Sequence, residues 1–134
     1  MRRILIAAAI ACGLCVGLSA RAADKDKKEK EYKGVLIDNM CAAKNMTKTN
    51  PEEAAEGHPK SCALKEGCSK SGFAVISGKK LYKLDDAGND KAKDYLGVKE
   101  NATKVVVMGT LSDDGKTLKV TDIKPAADKE KKKS

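Results

Sequence analysis

Four side chains able to bind a metal or carry thiol chemistry fall within one short stretch: Cys41, His58, Cys62 and Cys68. His58 is the only histidine in the chain. Three thiolates and one imidazole make a Cys₃His set, which zinc takes as a tetrahedron and which also suits soft Cu(I). His58 and Cys62 are four residues apart and would share a helix face. Pro59 instead moves His58 to the cap of such a helix, from which it still reaches Cys62. The C-x5-C spacing of Cys62 and Cys68 is longer than a typical zinc knuckle. Met40 and Met46 flank Cys41 and offer thioethers to copper, although methionines beside a loop more commonly pack.

Two other chemistries use the same residues. Two cysteines would pair and staple the stretch, with Cys41 bonded to Cys62 or Cys68 as the favoured connectivity. Closing a loop of about 20 residues stabilises by roughly 3 kcal/mol in the chain-entropy account. Any such pairing leaves one thiol over. That thiol, near His58, would be the nucleophile of a redox protein if its thiolate were favoured. The part of the chain after residue 22 has no C-x-x-C, and the chain has no G-x-S-x-G, phosphate loop or H-E-x-x-H. The expected protein is therefore a non-enzymatic binding or structural module stapled by a disulfide. The alternatives are a Zn- or Cu-binding protein or a thiol redox protein, using Cys41, His58, Cys62 and Cys68.

The compartment follows from the first 22 residues. Arg2 and Arg3 precede an apolar run from Ile4 to Leu18, and Ala20-Arg-Ala22 has the small residues of a cleavage site. A cleaved Sec leader is expected over 1–22, giving an exported, periplasmic or secreted protein in which disulfides are permitted. Cys12 and Cys15 lie in that leader without a lipoprotein context. All three arginines (Arg2, Arg3, Arg21) leave with it, which takes the net charge from +8 to +5. The remaining bases are lysines, and aromatics are limited to Tyr32, Phe73, Tyr82 and Tyr95. Phosphate and base recognition favour guanidinium forks and stacking rings, so nucleic acid is not expected as a partner. The charged stretch 23–31 and the lysine-rich tail 125–134 contain too little apolar surface to pack and are expected to be disordered. No transmembrane segment is expected in the mature chain, and it is expected to be a monomer.

Between them, residues 32–124 read as one small domain. Tyr32–Ile37 is a first strand, ending at Asp38, which with Asn39 can cap a short helical turn through Lys44. Pro51–Glu56 and Pro59–Glu66 each read as a helix, with Cys62 inside the second and Cys68 just past its end. Phe73–Ser77 and Lys80–Leu84 form a hairpin. A helix capped by Asp90 runs through Leu96 and is stopped by Gly97. Thr103–Leu111 and Thr117–Ile123 form a second hairpin around Gly115. Five strands with a helix between the third and fourth is the order of an OB-like β-barrel. The Cys/His insertion 39–72 then becomes an enlarged loop between strands one and two, beside the usual binding face of that fold.

The segments Gly34–Lys44, His58–Phe73 and Gly78–Asn89, with V-x-V-x-G-T realised as Val105–Thr110, resemble a group of small exported bacterial proteins of unknown function. The matching positions are Asp38, Cys41, Lys44, His58, Cys62, Cys68 and Gly72. The resemblance covers nearly all of 32–124 and implies an OB-like barrel and export, with no established activity. Many members hold the last two cysteines closer together than Cys62 and Cys68 are here.

Overall fold

A computed structural model describes residues 28–127. The leader expected over 1–22, residues 23–27 of the linker and the tail from 128 lie outside the described residues. Five strands and five short helices follow in chain order: β1 (Lys30–Asp38), α1 (Asn39–Asn45), α2 (Pro51–Glu56), α3 (Lys60–Ala63), α4 (Glu66–Lys70), β2 (Phe73–Ser77), β3 (Lys80–Leu84), α5 (Asp86–Gly97), β4 (Lys104–Leu111) and β5 (Thr117–Pro125). The fold is mainly β. Its mixed sheet closes in a ring in the order β1-β2-β3-β5-β4, with β4 returning to β1. All pairs are antiparallel except the short parallel contact of β3 with β5.

β1 explains how the cysteine-bearing insertion is held. Its second half, Val35-Leu36-Ile37, is a continuous apolar run, whereas a strand wet on one face would alternate. Both faces are covered. Leu36 points into the ring with Phe73, Val75, Leu84, Val105, Val107 and Leu118, against Ala92 and Leu96 of α5. Val35 and Ile37 point outward and join Ala74 and Ile76 of β2 beneath Ala42 of α1 and Ala55 of α2. Fully burying a residue of this size contributes about 1.5–3 kcal/mol. The outer cluster is therefore enough to dock two helices too short to persist alone. Gly34 sits where β1 passes from β4 to β2, and a Cβ there would run into the Ile76 carbonyl.

Several boundaries differ from the sequence expectation, among them that of β5, which runs through Pro125, the first residue of the expected disordered tail, because Pro125 pairs with Val105 and Ala126 N donates to Lys104 O at 3.0 Å. β1 begins at Lys30, inside the charged stretch expected as linker, because Lys30 and Glu31 find partners in Gly109 and Met108. The single helix expected over Pro59–Glu66 is two. Lys65 is extended (φ −60°, ψ 145°), α4 starts at Glu66, and Cys68 lies within α4 rather than beyond a helix end. α5 begins at Asp86, not Asp90. Asp85 is the better cap, because its Oδ1 accepts from both Gly88 N (2.9 Å) and Val120 N (3.1 Å) and so ties the helix to β5.

Candidate metal centre

Each cysteine stands on its own short helix, and hydrogen bonds or core packing hold each helix in place. Asp38 ends β1 and caps α1, its Oδ1 accepting from Cys41 N at 2.9 Å. Cys41 is thus fixed one turn from the sheet. The next residue ties α1 to the far end of the insertion. Asn39 N donates to Gly72 O (2.9 Å) and Asn39 Nδ2 to Ser71 O (2.6 Å). Ser71 in turn donates its hydroxyl to Cys68 O at 2.6 Å. Gly72, at φ +82°, turns the chain from α4 into β2, and the Asn39 and Asn89 side-chain amides leave no room for a Cβ there. Asn89 Oδ1 accepts from Phe73 N (2.8 Å) and sets the start of β2. Cys62 lies on α3, whose Ala63 reaches the inner core.

These tethers bring the three sulfurs together. The Sγ atoms of Cys41, Cys62 and Cys68 all lie within 4.8 Å of one another, and none is in a disulfide. A tetrahedral ion with Zn–S bonds of about 2.3 Å would hold its sulfurs about 3.8 Å apart, so closing on an ion asks for no more than about 1 Å of movement. A second triplet shares Cys41: an Asp38 carboxylate oxygen, Cys41 Sγ and a His58 ring nitrogen, also within 4.8 Å of one another. All four residues singled out in the sequence therefore converge. His58 stands in the triplet of Asp38 and Cys41 rather than with Cys62 and Cys68, its Nε2 4.0 Å from Asp38 Oδ2. Met40 is exposed and Met46 packs in the outer cluster.

Asp38 is the residue whose part in the site the sequence understated. It reads there as a helix cap, which it is. It is also fully buried, and its Oδ2 has no hydrogen-bond partner. A buried carboxylate oxygen without a donor is costly, and something must offset it. The sequence signal was an aspartate three residues before a cysteine in a Cys/His segment. Only the fold reveals that its second oxygen faces the same cluster.

The electrostatics of the thiols argue against an activated nucleophile. Burial first, then the negative charge of Asp38 and hydrogen bonding to its carboxylate, and last the other two cysteines, push the Cys41 thiol up to about 12 from 9.0. Burial and Asp38 also push the Cys68 thiol up. An activated nucleophile needs the opposite shift. A cation at the cluster reverses this sign, since a coordinated thiol ionises. In metal-free protein at pH 8, Cys41 should alkylate on the order of 50-fold more slowly than an unperturbed thiol, allowing for the greater nucleophilicity of a more basic thiolate. Its rate should still be rising at pH 11. Peptide-resolved alkylation across pH 7–11 checks this, and a plateau near pH 9 would contradict it.

Compared with known proteins, the chain matches no protein-family model, no curated protein and no solved structure at a significant level. Among the described residues, no helix is long and apolar enough to cross a membrane.

Proposed function

We propose that this protein is an exported, non-enzymatic metal-binding module. Its enlarged first loop holds one soft ion, Zn(II) or Cu(I), on Cys41, Cys62 and Cys68, with His58 or Asp38 completing the shell. The observation that carries this reading is the convergence of three sulfurs, where a staple needs only two, beside a buried carboxylate oxygen that has no partner. Both ions are d¹⁰ and thiophilic, and neither requires a geometry that three thiolates cannot supply. The scaffold is read as an OB-like barrel. Support comes from the ring order, the single parallel pair β3–β5 and the helix between β3 and β4. Export is supported by the leader-like first 22 residues.

A second reading rests on the same proximity: with the three sulfurs within 4.8 Å of one another, two of the thiols would pair, giving a disulfide-stapled module with one spare thiol. Native and denaturing mass spectrometry of protein purified from the periplasm decides between them. The metal reading expects one bound zinc or copper ion, with three alkylatable thiols once the ion is chelated. A chain two hydrogens lighter, with one alkylatable thiol and no bound ion, would overturn it in favour of the staple.

A further inference from the structure

Two of the three sulfurs share a tether, since Asp38 and Asn39 bind α1 to the sheet and to the end of α4. Cys62 has no part in it. Its helix, α3, has four residues and no side-chain cap, and within it only Ala63 reaches the core. Lys60, the first residue of α3, supplies the missing tie. Its Nζ donates to the carbonyl oxygens of Val98 (2.6 Å), Lys99 (2.9 Å) and Asn101 (3.0 Å). An ammonium has three donors, and here all three are spent on one loop. A lysine side chain left in water samples many rotamers; one seated on three carbonyls is an ordered strut. The loop is itself anchored, with Asn101 Nδ2 donating to Tyr95 O (2.8 Å) at the end of α5, whose Leu96 is in the core.

We propose that Lys60 is the positioning residue for Cys62: by plugging the carbonyl cage of residues 98–101 it holds α3 against the sheet and keeps the third sulfur at the cluster. This rests on the metal-binding reading above. The strut makes coordination by Cys62 depend on a loop that contributes no ligand.

The test uses the mature chain as parent, Lys60→Met and Lys60→Arg, titrated with Co(II), whose thiolate absorption scales with the number of bound sulfurs. Lys60→Met should lose about a third of that absorption and bind 10- to 100-fold more weakly, as when the supporting partner of a ligand is removed. Its metal-free melting temperature should stay within a few degrees of the parent. Lys60→Arg, which keeps charge and donors, should recover much of both. Full absorption and parent affinity in Lys60→Met would overturn the proposal, as would an arginine variant no better than the methionine one. A Lys60→Met chain that no longer folds would also overturn it, because Lys60 would then be a general stability residue. Metal-free alkylation separates this idea from the metal reading. If the parent takes up no cobalt, the metal reading fails and alkylation alone decides Lys60. A several-fold rise in labelling at Cys62, without change at Cys41 or Cys68, upholds the positioning role, and an unchanged Cys62 rate removes it.

Discussion

Saturating the protein with zinc is expected to raise its melting temperature by on the order of 15–30 °C, and Cys62→Ser is expected to abolish most of that rise. A ligand that binds only the native state stabilises it by RT ln(1 + [L]/Kd), about 4 kcal/mol at a free concentration one thousand times Kd. For a domain of about 100 residues, each kcal/mol moves the midpoint by roughly 4–8 °C. The cluster qualifies as native-only, because its sulfurs come from three separate helices that the unfolded chain does not bring together. The ion's effect should also reach the whole domain. α1 and α2 share an apolar cluster with Val35, Ile37, Ala74 and Ile76 of β1 and β2, so the insertion should not melt separately from the sheet. Calorimetry with and without zinc, on the parent and on Cys62→Ser, measures this. A rise below about 5 °C in the parent, or an equal rise in the serine variant, would sink it.

What the sequence made legible, and what it hid, follows the range of the forces involved. β2 and β3 were readable to the residue, because the apolar runs on both sides of Ser77-Gly78-Lys79 and the turn itself are local signals. The cap of α1 by Asp38 was readable for the same reason. Two of the misread boundaries depend on distant partners. β1 starts early because β4 lies beside Lys30. Asp85 prevails over Asp90 because Val120 N, 35 residues away, also needs an acceptor. Lys60 is held by carbonyls some 40 residues further on, so its pose is not a matter of propensity. The site divides in the same way. The types of Cys41, His58, Cys62 and Cys68 announce their chemistry, but sequence spacing paired His58 with Cys62, whereas the fold sets it against Asp38 and Cys41. Burial of Asp38 has no local signature, because it involves His58, twenty residues further along the chain, as well as the adjoining Cys41.

That burial yields the second large effect. Replacing Asp38 by asparagine should leave the metal-free protein as stable as the parent or more so, while weakening metal binding 10- to 100-fold. The two carboxylate oxygens have separate tasks. Oδ1 caps α1 through Cys41 N, and an asparagine oxygen caps equally well. Oδ2 is buried and has no partner, with the nearest basic atom, His58 Nε2, at 4.0 Å, outside hydrogen-bond reach. Without an ion, a negative charge there carries a desolvation cost that an amide avoids, and the amide's own N–H₂ lies beside an imidazole nitrogen able to accept it. With an ion, the same charge either ligates or stands directly behind the ligands, and loss of such a group typically costs one to two decades of affinity. Asp38→Ala separates the tasks, since it also loses the cap, worth about 0.5–2 kcal/mol. Urea unfolding of metal-free protein and zinc affinity by chelator competition give the two readouts. The metal reading requires them to move in opposite directions in Asp38→Asn. A metal-free asparagine variant destabilised by more than about 2 kcal/mol, with zinc affinity unchanged, would make Asp38 a structural residue of the loop and remove it from the metal site.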